Sequence, residues 1–282
     1  VPINYDTLMA WPFPDRVHAY SPDDTILYAL GIGMGGTDEE LPFVYEDGLR
    51  AVPTMAVVLA HPGFWMRDSG TGITWRRLLH RDQSLTMFRP LPPAATVKGR
   101  TWVSGLADRG VGRGALLSVT REVSDAENGE VLCRMDSTYL LRDDGGFGGP
   151  SEMAVAPADI PLRKADTIGI FHTSARSALI YRLSGDKNPL HVDPRVAAAA
   201  GFSGPILHGL CTFGIAARGI LAGYCDNWPE RLASLQCRFT APVYPGETIR
   251  MEMWKDGSHV AFRAHSMERS VVVLDHGKAT VC

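Results

Sequence analysis

The sequence predicts two α+β units in tandem, each an antiparallel sheet wrapped around an apolar helix, and three observations carry that reading. Helical and strand-like segments follow one another in the same order twice. Short matches recur at nearly one spacing: Ile26-Leu-Tyr-Ala-Leu-Gly-Ile-Gly33 lies against Leu179-Ile-Tyr-Arg-Leu-Ser-Gly-Asp186 at an offset of 153, and Pro90–Val97 lies against Pro242–Ile249 at 152. The 282 residues suffice for two domains of ordinary size, each able to bury a core without staples. The expected division is residues 1–150 and 151–282.

Ser21-Pro-Asp-Asp24 is a helix start, with Ser at the N-cap, Pro in the first turn and two carboxylates near the positive end of the dipole. The helix runs through Thr25–Leu30 and ends at Gly31, Gly33, Gly35 and Gly36. That glycine set is a weak phosphate-loop pattern, because it follows a helix rather than a strand. Pro53–Ala60 is an apolar run closed by His61-Pro-Gly63, and its periodicity fits a buried helix or a strand equally. From Leu78 the texture is β, with Ser84–Phe88, Thr96–Val103, Gly114–Val123 and Val131–Leu141 separated by turns such as Asp108-Arg-Gly110. Asp143–Pro150 and a Pro-containing stretch to about Arg163 form the linker. The second unit repeats the plan: a helical stretch at Ala178–Leu183, an apolar helix after Pro205, then strands near Leu235–Phe239, Glu247–Trp254, His259–Ser266 and Ser270–Thr280. Gly209, Gly214, Gly219 and Gly223 suit a helix approached closely on most sides.

Composition excludes several classes of function. With 45% hydrophobic and 21% charged residues the chain is of ordinary globular type. A net charge of -3 and no long basic run leave no electrostatic footprint for nucleic acid. Cys133, Cys211, Cys225, Cys237 and Cys282 are odd in number and widely spaced, which argues against a disulfide framework and a cysteine zinc site and for a reducing compartment. No segment reaches the roughly 18 apolar residues of a membrane span. A cytoplasmic setting is expected, with an organelle lumen as the alternative.

The densest chemistry lies in Tyr181-Arg-Leu-Ser-Gly-Asp-Lys-Asn-Pro-Leu-His191. Asp186 and His191 flank a loop stiffened by Pro189, which can hold two proton-transfer groups on one water or one substrate carbon, with Asn188 to orient them. The same residues also suit a turn in which Asp and Asn cap backbone amides and His191 is a satisfied polar residue. Downstream, Ile206-Leu-His208-Gly209 opens the apolar helix. A glycine there exposes backbone N–H groups with the helix dipole behind them, the equipment for holding a carbonyl oxygen that gains negative charge. Close helix packing also explains Gly209, and His208 can be read as a helix cap. His191 and Asp186 have no third ligand at recognisable spacing, so no metal is expected.

Tyr181–His191, Gly201-Phe202 and Pro205-Ile-Leu-His-Gly-Leu-Cys-Thr-Phe-Gly214 together resemble the type 2, R-specific enoyl-CoA hydratases of the MaoC-like family. The likeness extends to Phe239-x-x-Pro-Val-Tyr-Pro-Gly246 and back to Tyr28–Gly33, and is greatest to the eukaryotic-type double hot-dog form. The resemblance implies an α+β double hot-dog fold with one live site, hydrating trans-2-enoyl-CoA to (3R)-3-hydroxyacyl-CoA. It implies Asp186 and His191 as the acid/base pair, Asn188 as their positioner, and the Gly209 N–H as donor to the thioester oxygen. His80, Arg109 and Phe239 would contact substrate, and the first unit, with Gly33 where the second has Asp186, would accommodate the acyl chain. The family's His-Gly-Glu-Gln stands here as His80-Arg-Asp-Gln83, a departure that puts Arg81 in place of a small residue and leaves the shape of the coenzyme A entrance open. Arg109 is the candidate for the CoA phosphates, with a solvated turn residue as its plain alternative. Competing readings are dehydration of a specialised 3-hydroxyacyl thioester, a hot-dog thioesterase and a non-catalytic acyl-CoA-binding module. No cofactor beyond the CoA of the substrate is implied, and a homodimer is expected.

Overall fold

The computed structural model describes residues 2–153 and 158–282. Residues 154–157 of the expected linker lie outside the described residues. A short helix α1 (Tyr5–Met9) and strand β1 (Arg16–Tyr20) precede helix α2 (Pro22–Gly31). The first unit then continues with β2 (Leu78–Met87), β3 (Ala95–Asp108), β4 (Ala115–Asp125) and β5 (Val131–Leu141). The second comprises β6 (Thr167–His172), α3 (Ser177–Tyr181), α4 (Pro194–Ala199), α5 (Gly209–Tyr224), β7 (Leu232–Phe239), β8 (Thr248–Asp256), β9 (His259–Ser266) and β10 (Val271–Val281).

The strands form one continuous antiparallel sheet in the order β1-β3-β4-β5-β2-β7-β10-β9-β8-β6. Read from its centre the order is mirrored, because β2, β5, β4, β3 and β1 are matched outward by β7, β10, β9, β8 and β6. At that centre Ser84 lies directly opposite Gln236, the residue 152 positions further on, so the repeat offset and the strand register place a local pseudo-twofold between them. This is the double hot-dog architecture the resemblance implies, with the two sheets fused edge to edge. Strands β1 and β6, which the sequence reading missed, are the two edges; both are short, and their apolar Val17, Ile168 and Ile170 point to solvent rather than to the core.

Helix α2 begins as its residues dictate. The Asp24 N–H donates to Ser21 Oγ at 3.3 Å while Asp24 Oδ2 accepts the Ser21 N–H at 2.8 Å, a reciprocal capping box. It crosses α3 where Gly31 meets Tyr181; a Cβ on Gly31 would sit 3.2 Å from the Tyr181 Cα. Ten of the 16 residues of α5 are buried, the pattern of a helix enclosed on nearly all sides. Its glycines explain how: a Cβ at Gly214 would stand 2.5 Å from Ile32, and one at Gly219 would stand 2.8 Å from Met251. At Gly223 the space is ordinary, with Met253 at 3.8 Å, so close approach accounts for two of the four expected positions and the start of the helix is a separate case.

The first unit departs from the expected plan at its central helix. Pro53–Val58 forms only a six-residue 3-10 turn where the second unit has α5. At the 152 offset Pro53 matches Pro205, Ala56 matches His208 and Val57 matches Gly209. The β-branched Val57-Val58 pair and His61-Pro-Gly63 discourage extension. The freed carbonyls of Ala56 and Val57 accept instead from the Arg121 guanidinium, at 3.4 and 2.7 Å. Arg121 pairs with Thr101 in the sheet, and its counterpart, opposite Met253, is the fully buried Phe262. An arginine thus caps the broken helix at a position where the second unit has a buried phenylalanine.

Candidate active site

After α3 the chain makes a 3-10 turn at Arg182–Ser184 and reverses through Gly185, whose φ of +132° only glycine adopts readily. Asp186 Oδ1 then accepts the Asn188 N–H at 3.1 Å, and Asn188 Oδ1 accepts the Leu190 N–H at 3.1 Å, capping the turn Pro189–His191. The capping role expected of Asp186 and Asn188 is therefore present. It occupies one oxygen of each, and leaves Asp186 Oδ2 for other work. Asn188 acts on the site through the turn that carries His191.

His191 is buried, and its Nδ1 lies 2.8 Å from the Ile206 carbonyl. A carbonyl only accepts, so Nδ1 carries the proton and the neutral ring presents a lone pair at Nε2. Burial, partly offset by that hydrogen bond and by Asp186, holds the His191 pKa below the usual histidine value. His208 lies flat on His191, with ring centroids 3.6 Å apart and planes at 26°. Its Nε2 is 3.0 Å from the Asp186 carbonyl oxygen. Burial first, then the neighbouring His191, push the His208 pKa down to about 4. Sequence spacing offered no third group beside Asp186 and His191; in space His208 supplies it, with ligating atoms of all three within 4.8 Å of one another. The stacking is unfavourable to a shared metal, because in-plane lone pairs of parallel rings run side by side rather than converge.

Leu207 donates to the Val243 carbonyl at 2.7 Å, which anchors the start of α5 beside the end of β7. Gly209 is the first residue of α5, and among the described residues no backbone acceptor takes its N–H. Its φ is not of the left-handed kind, and an added Cβ would meet only the Phe239 ring, at 3.4 Å. Glycine therefore leaves open the space between the helix N-terminus and Phe239. The Phe239 ring in turn meets His80 edge-on at 5.0 Å, and His80 lies 4.8 Å from Tyr139. His80, from β2, thus reaches the second unit's site across the β2–β7 junction. Burial pushes its pKa down to about 4, with Asp186 among the charges that oppose the shift.

Arg109 sits just past β3, where its N–H donates to Gly114 at 3.1 Å, and no hydrogen bond or ring contact among the described residues ties it to the Asp186–His191 pair. It belongs to a basic rim instead: Arg109 and Arg238 both press on the charge of Arg81. Arg81 is the extra residue of a β-bulge between His80 and Asp82. Asp82 takes a 2.6 Å bond from Arg238 and lies 3.6 Å from Arg81. One residue was read in the sequence only as part of a closing turn. His61, in the loop after the broken helix, is exposed, and Asp186 and His80 are among the groups that act on its charge. Its Nδ1 accepts the Gly63 N–H at 3.0 Å. A cavity of about 510 Å³ opens elsewhere, lined by Ser104, Ser118, Asp136, Thr138 and Arg238, and it includes none of Asp186, His191, His208 or Gly209.

The family described as MFE-2 hydratase 2 N-terminal domain matches residues 18–143, and the family described as MaoC like domain matches residues 158–276. The chain is 37% identical over 298 residues to enoyl-CoA hydratase 2, peroxisomal, from Arabidopsis thaliana, covering 96% of the chain and 93% of that protein. It is 35% identical over 272 residues to peroxisomal multifunctional enzyme type 2 from Mus musculus, covering 93% of the chain but 36% of that longer protein. Among solved structures, a MaoC-like dehydratase from Phytophthora capsici superimposes with a TM-score of 0.88 at 34% identity, covering 99% of each chain. With likenesses of this extent joined to the mirrored sheet and the Asp186–His191 turn, the chain belongs to the enoyl-CoA hydratase 2 family of MaoC-like double hot-dog proteins.

Proposed function

We propose that this chain catalyses the reversible hydration of trans-2-enoyl-CoA to (3R)-3-hydroxyacyl-CoA, as a hydro-lyase. One observation carries the reading: a carboxylate and a neutral imidazole protonated at Nδ1 lie together with His208, the residue immediately before the open N-terminus of α5. The thioester oxygen accepts from the Gly209 N–H, where the α5 dipole favours the negative charge that develops as the enolate forms. Asp186 and His191 hold a water against C3; its oxygen bonds to C3, its proton passes to the pair, and a proton is delivered to C2. The elements of water add across the double bond with no net redox change, so the reaction needs no cofactor beyond the CoA of the substrate, and the amide donor does the work a metal would do.

The acyl chain is placed in the first unit, in the room left by the six-residue turn Pro53–Val58. Arg81 and Arg109 are placed at the CoA phosphates, since Asp82 already engages Arg238. By microscopic reversibility the same groups dehydrate a 3-hydroxyacyl thioester, the direction named for the Phytophthora relative. Four buried free cysteines suit a reducing compartment, here taken as the cytoplasm, and no helix among the described residues is long and apolar enough to cross a membrane. Exposed Ile168 and Ile170 on edge strand β6 support a homodimer, to be read from the mass in solution. The activity is tested with crotonyl-CoA and longer enoyl-CoAs. Loss of the enoyl absorbance without free thiol, giving the 3R product, is expected; release of free CoA would establish a thioesterase, and binding without turnover a non-catalytic module.

A further inference from the structure

We propose that His208 is a positioning residue of this site, holding the Asp186 main chain and the ring plane of His191 so that the proton-transfer pair keeps its geometry. This rests on the hydratase reading above. His208 is 1% exposed, so it acts from behind the pair. Its Nε2 donates to the Asp186 carbonyl at 3.0 Å, which pins the reversal after Gly185 at the residue that carries the carboxylate. Its ring covers one face of His191 at 3.6 Å, leaving that imidazole free to tilt only against a packed neighbour. The Ile206 carbonyl that fixes the His191 tautomer lies two residues before His208. One short segment therefore sets the position of Asp186, the tautomer of His191, its ring plane and the N-terminus that begins at Gly209.

A packing role alone would be served equally by phenylalanine, and two observations argue against that. The Nε2 hydrogen bond needs a donor in the ring plane. The second nitrogen, Nδ1, is buried without a partner among the described residues, and it heads a row of atoms in the same condition. Tyr181, whose ring is 5.0 Å from His208, has a buried hydroxyl without a partner. Tyr28, 5.8 Å further on, and Thr54 have the same. The Thr54 and Tyr181 hydroxyls are near enough to act on that of Tyr28. The row runs from the catalytic pair into the first unit, and buried polar groups of this kind are ordinarily partnered in folded proteins.

The charged and titratable groups facing His208 are His191, Asp186, Arg182 and Tyr181. Removing the ring admits solvent to His191 and relieves the burial that depresses its pKa, so the acid limb of turnover moves to higher pH. The test compares His208→Ala, His208→Phe and His208→Gln in the full chain, by kcat and KM for enoyl-CoA hydration, pH profile and thermal melting. His208→Ala is expected to lower kcat about 100-fold with KM within about threefold, and to raise the acid limb. His208→Phe keeps the melting temperature and the stack but lacks the donor, and its kcat stays as low as that of the alanine variant. His208→Gln restores an N–H donor and recovers at least about tenfold over alanine. Wild-type kcat in the phenylalanine variant, or an equal loss in all three with a lowered melting temperature and an unmoved acid limb, overturns the proposal. A wild-type chain inert on every enoyl-CoA overturns the hydratase reading instead.

Discussion

At the scale of single residues, the site depends on keeping its buried histidines neutral. Asp186→Asn removes a proton acceptor while retaining the Oδ1 cap on the Asn188 N–H, so kcat is expected to fall about 10²- to 10⁴-fold with little change in melting temperature; steady-state hydration kinetics beside a melting curve checks both. The histidines also tie stability to pH. His80 and His208 are held down to about 4, and His191 is lowered as well, chiefly by burial. Between about pH 4 and 6.5 the unfolded chain binds protons on these rings that the folded chain refuses. Stability is therefore present above the unfolded value and is lost as pH falls through that window, with a slope of up to about 1.4 kcal/mol per pH unit for each histidine. Urea unfolding at a series of pH values should show this; a stability independent of pH from 7 to 5 contradicts the buried neutral assignment. Asp186, His191 and Gly209 stood out in the sequence because turn-formers and a helix-opening glycine are locally encoded. The stacking of His208 was not legible, since ring planes are set by tertiary packing, and the pair His208-Gly209 reads equally as a helix cap.

At the scale of elements, the strands of both meanders were legible from alternation and turn residues, and Val131–Leu141 and His259–Ser266 carry the expected bounds. The two edge strands were not, because β1 and β6 are only five and six residues long and each buries a single side chain, Tyr20 and Phe171, too little to mark a half-buried strand. The broken helix was ambiguous for a different reason: what ends it lies partly outside the segment, in Arg121 of β4. Helix α5 is the element under tightest constraint. Gly214→Ala brings a methyl group 2.5 Å from Ile32 and 3.0 Å from the Tyr28 hydroxyl. Overpacking of this kind costs about 1–3 kcal/mol, which outweighs the gain of about 1 kcal/mol in helix propensity. Denaturant unfolding of the variant is expected to show a net loss, and a stabilised variant would mean that α2 and α5 do not meet as described.

At the scale of the whole molecule, the duplication seen in the sequence as two short matches becomes a shared sheet whose centre is the β2–β7 pair. Its consequence is that neither unit is closed without the other. Strand β2 supplies His80 to the site of the second unit, and α5 carries Arg218, which makes a two-point ion pair with the buried Glu40 of the first. Glu40 also accepts the Gly35 and Gly36 N–H groups at 3.0 Å, so the glycine set reads as an anchor for that carboxylate rather than a phosphate loop. Despite its length the chain is expected to melt in one transition, with calorimetric and van't Hoff enthalpies in a ratio of about 1. Two resolved transitions by calorimetry would show that the halves fold independently.

The exchange of Phe262 for Arg121 across the pseudo-twofold also bears on how many ligands one chain is expected to hold. With Val57 where Gly209 stands, and a six-residue 3-10 turn in place of the 16-residue α5, the first unit lacks the long helix that begins at Gly209 in the second. Calorimetric titration with a non-hydrolysable enoyl-CoA analogue is accordingly expected to saturate at one equivalent per chain, and a second equivalent of similar affinity would show that the silent unit still binds. The strand order keeps the pseudo-twofold while the central helix does not, and a single arginine marks where the two part.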